Sequence, residues 1–184
     1  YGACRVCSVE VQHTEDGPKR TVASCHTPIN PGMRIYTNSD SVKTLRRNIV
    51  ELVLSDHPPD CLTCEVNGNC ELQDVAASVG VRRIRYAKGK NHCDREKDLS
   101  HAYMRMDLSK CINCSRCVRA CDEVQGQFTL TMTGRGFESR ITTDNDMLFG
   151  DSSCVSCGAC AQTCPTSAIS DVFQSKSVEA DKTV

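Results

Sequence analysis

The chain has 184 residues and a formal net charge of −1; 39% of its residues are hydrophobic, 4% are aromatic and none is tryptophan. Such a composition excludes one large apolar core. The near-neutral charge excludes a strong nucleic-acid-binding field, and no stretch approaches the roughly 20 apolar residues that span a bilayer. Fifteen cysteines offer another way to hold a fold together. Most sit two or three residues apart in runs. Neighbours that close cannot all pair as disulfides, but they can converge on a metal centre. The odd count and the lack of a signal peptide point the same way, towards reduced thiols in a cytoplasmic protein.

Residues 1–40 alternate apolar and polar positions at Val6, Val9 and Val11, with turn signals at Asp16-Gly17-Pro18 and Asn30-Pro31-Gly32. This predicts a small β-rich module. Cys4, Cys7 and, downstream, Cys25 match the tail of a plant-type [2Fe–2S] pattern, in which a further cysteine precedes the pair. The abrupt start at Tyr1-Gly2-Ala3-Cys4 reads as the middle of a domain, so the fourth ligand is expected upstream. Gly2 suits close approach of backbone to a cluster. A C-x-x-C redox pair is the competing reading, but no thioredoxin-like βαβ pattern follows.

Residues 41–100 form the next segment. Leu45, Ile49, Leu52 and Val53 have the spacing of an amphipathic helix over 41–56. His57, Cys61, Cys64 and Cys70 follow, with Pro58 and Pro59 stiffening the loop that presents His57. One nitrogen and three sulfurs suit either a structural zinc ion or a [4Fe–4S] cluster, and spacing alone leaves both open. A basic stretch then leads to Cys93, which reads as a bystander thiol. His13, His26 and His101 lie in polar surroundings and carry no expected role.

Residues 101–173 contain a repeat. Cys111, Cys114, Cys117 and Cys121 recur 43 positions later as Cys154, Cys157, Cys160 and Cys164. Both runs follow C-x2-C-x2-C-x3-C, the second followed by Pro165 and the first by Asp122. Three closely set thiolates reach three corners of a cubane, and the fourth must arrive from elsewhere; in two-cluster ferredoxins the other run supplies it. The expected sets are therefore Cys111, Cys114, Cys117 and Cys164 for one [4Fe–4S] cluster, and Cys154, Cys157, Cys160 and Cys121 for the other. Zinc favours two separated pairs over four cysteines in eleven residues. Arg116 and Arg119 lie among the first run's ligands, where guanidinium groups could raise a potential, though solvated arginines are the plainer reading. Residues 174–184 read as a linker to a further domain.

Gly2-Ala3-Cys4-Arg5-Val6-Cys7, His57 to Cys64, Asn69-Cys70-Glu71-Leu72-Gln73 and the double run, in that order, resemble the N-terminal iron–sulfur region of one superfamily. Its members are NuoG-type subunits of respiratory complex I, [FeFe]-hydrogenases, diaphorase subunits of NAD-reducing hydrogenases, and the α subunit of NAD-dependent molybdenum or tungsten formate dehydrogenases. The run from Cys111 to Gly126, the stretch from Gly134 to Arg140, and Lys176-Ser177-Val178 look most like formate dehydrogenase α.

The resemblance implies an α+β chain. An incomplete plant-type ferredoxin β-grasp module comes first, then a helical module with one histidine and three cysteines, then a bacterial two-cluster [4Fe–4S] ferredoxin module. It implies ligation by His57, and a total of three [4Fe–4S] clusters and one [2Fe–2S] cluster. In the full enzyme it adds another [4Fe–4S] cluster, a molybdenum or tungsten bis-pterin cofactor, and FMN on a partner. The expected partners are a catalytic molybdopterin domain of the same chain, an FMN/NAD-binding β subunit and a [2Fe–2S] γ-type subunit, with no nucleic acid and no direct membrane insertion. Formate oxidised in that domain would send electrons through this segment to NAD+. The segment itself would carry no catalytic residue. An electron-transfer or diaphorase subunit of an NAD-linked hydrogenase or complex I-like enzyme is the alternative.

Overall fold

The computed structural model describes residues 2–90 and 95–172; Cys93 and the expected linker over 174–184 lie outside the described residues. The chain divides into two units, Tyr1–Ser55 with Gln73–Ala87, and Asp56–Leu72 with Lys88–Val184.

In the first unit the alternating segment becomes three antiparallel strands, β1 (Ser8–Gln12), β2 (Arg20–Ala23) and β3 (Arg34–Tyr36), in the order β2-β1-β3. Val9 pairs with Val22, and Val11 with both Arg20 and Ile35. The central strand is the most buried of the three, with Val9 and Val11 in the core as period-2 alternation requires. Its buried Gln12 is satisfied by the carbonyl oxygens of Glu15 and Gly17, to which its amide donates, and by the hydroxyl of Tyr36. That arrangement fixes the turn expected at Asp16-Gly17-Pro18.

Helix α1 (Asp40–Asp56) starts where Ser39 caps it: the Ser39 hydroxyl accepts the Val42 N–H at 3.3 Å. Its buried residues are Val42, Val50 and Glu51, while Leu52 of the expected apolar stripe is 52% exposed. Leu45, Ile49 and Val53 of that stripe are half-buried, and the Arg46 guanidinium donates to the Ser8 carbonyl of β1, at 2.9 Å. Buried Glu51 meets the exposed guanidinium of Arg85 at 2.7 Å, so one residue of the basic stretch is its counter-ion. A second helix, α2 (Glu71–Ser78), begins directly after Cys70 and buries Leu72.

In the second unit each half of the repeat is a strand, a cysteine run, a short helix and another strand. β4 (Met104–Met106) precedes the first run, and α3 (Arg116–Arg119) and β5 (Leu130–Thr133) follow it. β6 (Arg140–Thr143), α4 (Ala159–Thr163) and β7 (Ile169–Asp171) repeat the order. The halves exchange strands: β4 pairs with β7, and β5 with β6. Met104, Met106, Leu130, Ile141, Phe149 and Ile169 form the shared core with Cys117, Cys121 and Cys160.

Phe149 is 1% exposed, and its N–H is held by the Asp98 carboxylate at 2.7 Å. Replacing it with alanine is expected to cost about 3–5 kcal/mol. A fall of the urea midpoint with little change of slope would show this; an unchanged midpoint would contradict it.

Candidate iron–sulfur centres

The two cysteine runs share one local design. In the first, the backbone takes left-handed φ at Asn113 (51°) and Ser115 (60°); in the second, 43 positions on, at Ser156 (59°) and Gly158 (74°). These turns aim backbone N–H groups inward. Asn113 N–H reaches Cys111 Sγ, and Ser156 N–H reaches Cys154 Sγ, each at 3.4 Å. Left-handed backbone is costly for residues other than glycine, and it clusters at functional sites. After α3 the helix widens into a π-turn over Ala120–Val124, where Gln125 N–H reaches back to the Ala120 carbonyl. That wide turn carries Cys121.

The fold collects the thiols across the repeat. One cavity is lined by Cys111, Cys114, Cys117 and Cys164, walled by Leu108, Ile141 and Ile169. A second is lined by Cys121, Cys154, Cys157 and Cys160, walled by Met104, Leu130 and Phe149. Each therefore takes three thiols from one run and the last from the other, the two sets expected from the spacing. Among the described residues no group of three or more His, Cys, Asp or Glu side chains is drawn in tightly enough to grip a single metal ion. The donor sets fit a polynuclear cluster: four soft sulfurs bordering an apolar space, with N–H groups pointing at two of them.

Burial dominates the chemistry of the free thiols. It pushes Cys114, Cys117, Cys154 and Cys160 above their usual 9.0, helped in each case by neighbouring sulfurs, and Cys160 reaches about 12. Raised folded-state values mean that the fold holds these protons more tightly than the unfolded chain. The iron-free protein should therefore keep this stability below about pH 9 and lose it as pH rises towards 12. Denaturant midpoints of iron-free protein at about pH 8 and about pH 11 check this, and a higher midpoint at the alkaline end would contradict it.

The His57 group lies along one loop. Pro58 and Pro59 follow His57, a 3-10 turn over Cys61–Thr63 brings the Cys64 N–H to the Cys61 carbonyl at 3.2 Å, and Cys70 ends the loop. His57 Nδ1 is buried with no hydrogen-bond partner. Its pKa is lowered, first by burial and then by the Lys110 cation, against the pull of Asp60 and Asp107. The ring is therefore held neutral, the form that ligates metal. Cys70 Sγ lies 3.8 Å from the Pro165 carbonyl, which also accepts the Glu71 N–H at 3.2 Å. Arg116 clamps the Glu71 carboxylate through two bonds, at 2.7 and 2.8 Å. The loop that ends at Cys70 is thus joined to both sides of the first cavity, beside Cys164 and between Cys114 and Cys117. Arg116 is exposed, as a solvated arginine should be, while it makes this clamp; Arg119, also exposed, pairs with Glu123 along its own helix.

Cys4, Cys7 and Cys25 lie at the head of the first unit's sheet. Burial would raise the Cys7 thiol, but N–H and S–H groups of Cys25 and groups of Ser24 point at it and bring it below its usual value. Cys4 is exposed and stands one residue before Arg5, whose carbonyl accepts the Ser8 N–H and closes the turn. His101, expected in polar surroundings, is instead 7% exposed. No local pattern marks it, because its side-chain partners, Ser156 and Phe149, are brought to it by the fold.

Three family models match the chain. A 2Fe-2S iron–sulfur cluster binding domain covers residues 1–40, the NADH-ubiquinone oxidoreductase-G iron–sulfur binding region residues 46–85, and a 4Fe-4S dicluster domain residues 110–168. The NADP-reducing hydrogenase subunit HndD of Solidesulfovibrio fructosivorans is 41% identical over 167 residues, 91% of this chain and 28% of that protein. A G-type subunit of NADH-quinone oxidoreductase from Rhizobium meliloti is 32% identical over 167 residues, 91% of this chain and 19% of that one. The chain thus spans less than a third of these relatives. A chain in a crystal structure of an NAD+-reducing [NiFe]-hydrogenase in the H2-reduced state superposes with a TM-score of 0.82 at 30% identity, covering 94% of this chain and 70% of that one. Among the described residues no helix is long and apolar enough to cross a membrane.

Proposed function

From a chain that belongs to the NuoG-type iron–sulfur family, with relatives in NADH-quinone oxidoreductases and NAD(P)-linked hydrogenases, we propose an electron-transfer segment of a hydrogenase or complex I-like oxidoreductase. The observation that carries the reading is the pair of cavities, each bordered by four thiols drawn from both halves of the repeat.

When bound, the clusters supply one-electron redox chemistry. The chain's own part is to hold, tune and shield them. Cys111, Cys114, Cys117 and Cys164 hold one [4Fe–4S] cluster; Cys121, Cys154, Cys157 and Cys160 hold the second; His57, Cys61, Cys64 and Cys70 hold a third. Cys4, Cys7 and Cys25 supply three ligands to a [2Fe–2S] cluster. The N–H groups of Asn113 and Ser156 offset the charge on Cys111 and Cys154. Ile141 and Phe149, each 1% exposed, keep water from the two cavities. Pro165, bonded to Cys164 and touching Cys70, offers a short route from the ferredoxin pair to the His57 centre.

The formate dehydrogenase reading rests on short stretches at and after the first cysteine run and on Lys176-Ser177-Val178, which lies outside the described residues. The relatives found are hydrogenase and quinone-oxidoreductase subunits, which supports the alternative better. A flavin- and NAD(P)-binding partner subunit goes with either reading; a molybdenum or tungsten pterin domain goes only with the formate one. Anaerobic assay of the native, full-length protein with its partners separates them. Hydrogen- or NADH-dependent turnover without formate turnover is expected. Formate-dependent NAD+ reduction without hydrogen turnover would restore the formate reading, and the segment alone should turn over neither substrate.

A further inference from the structure

We propose that His101 is a positioning residue that sets the redox potential of the centre at Cys121, Cys154, Cys157 and Cys160, by anchoring the Ser156 turn whose N–H is aimed at the Cys154 sulfur. The inference rests on the reading that this cavity holds a [4Fe–4S] cluster.

His101 Nδ1 accepts two backbone N–H groups, from Tyr103 at 3.1 Å and Met104 at 3.2 Å. With Nδ1 committed as an acceptor, the proton of the neutral ring lies on Nε2. Nε2 is 3.2 Å from Ser156 Oγ, so His101 donates and the hydroxyl accepts. The ring also packs on Phe149, with centroids 4.8 Å apart. Met104 and Phe149 both line the cavity, and Met104 Sδ lies 3.7 Å from Cys160 Sγ. Apart from Tyr103, these partners of the ring all border the cavity or sit in its ligand loop.

The other half of the repeat supports the role by analogy of position. Asn113 also takes left-handed backbone and points its N–H at a ligand sulfur. It too is pinned through its side chain, which donates to the Ser139 carbonyl at 2.7 Å. Both N–H···S donors are thus held by a side-chain hydrogen bond, but the pins are unrelated: a main-chain carbonyl in one half and a buried imidazole in the other. An N–H donated to a cluster thiolate offsets negative charge and favours the reduced state, which raises the potential. Releasing the pin should lower it.

Two substitutions in the full-length, cluster-loaded protein test this by EPR-monitored redox titration. Ser156→Ala removes the acceptor from an exposed residue and keeps the same backbone demand. His101→Asn keeps an oxygen for the Tyr103 and Met104 N–H groups but cannot reach Ser156. Each is expected to shift the midpoint of one and the same [4Fe–4S] signal downwards, and the double variant no further than the larger single shift, since both break one link. Unmoved midpoints with iron and labile sulfide intact would overturn the inference. So would a shift of every signal in His101→Asn alone, which marks loosened packing. Protein without labile sulfide would instead overturn the cluster reading beneath it.

Discussion

Replacing Cys164 with serine should remove the cluster held by Cys111, Cys114 and Cys117, although Cys164 lies in the other run. The mirror change, Cys121→Ser, should remove the cluster held by Cys154, Cys157 and Cys160. The reason is the strand exchange: β4 pairs with β7 and β5 with β6, so the end of each run is carried across to the cavity of its counterpart. In the cavities themselves Cys164 borders the first set and Cys121 the second. Either loss should also destabilise the whole second unit, because the thiolates tie its two halves together. Where a bound metal centre supplies folding energy, its loss costs on the order of several kcal/mol. Iron analysis of each variant, with EPR to identify the surviving signal, checks the pairing. If Cys164→Ser instead abolished the signal assigned to Cys154, Cys157 and Cys160, each run would bind its own cluster and the exchange would be refuted.

His57→Cys should keep its cluster and lower that cluster's potential, by on the order of 100 mV, since a thiolate adds negative charge where a neutral imidazole had none. The buried, unpartnered Nδ1 of His57 and its depressed pKa fit a ring prepared to ligate without its proton. His57→Ala should lose iron from this site and leave the two ferredoxin centres loaded. A potentiometric titration of the cysteine variant decides the matter. A midpoint that does not move, with iron content unchanged, would show that His57 is a buried bystander.

The parts of this molecule that are legible in the sequence are those in which a local constraint repeats. C-x2-C-x2-C-x3-C, written twice at a fixed offset, reflects a loop geometry that needs left-handed residues at two set places, and the structure puts them at corresponding positions of both halves. Alternation over Val9 and Val11 likewise foretells β1, because a central strand obeys a period of two. What sequence reading misses is set by distant partners. The hydrogen bond that ties α1 to β1 runs from Arg46 to Ser8, 38 positions earlier. Arg85 is one of several surface cations, and nothing local shows that it is the one to close over buried Glu51. Arg116 meets Glu71, and His101 meets Ser156, across 45 and 55 positions. The formate dehydrogenase expectation draws on residues at and after the first cysteine run and on Lys176-Ser177-Val178. The residues of the cysteine run answer first to the demands of cluster geometry, so they say little about which oxidoreductase the segment serves.

Quantification of iron and acid-labile sulfide in the anaerobically purified, full-length protein tests the central claim most directly. Equal molar amounts of the two, with EPR signals of reduced [4Fe–4S] clusters that vanish selectively in Cys164→Ser and Cys121→Ser, are the expected result. Zinc in place of iron, or disulfides in place of free thiols at these cysteines, would contradict it.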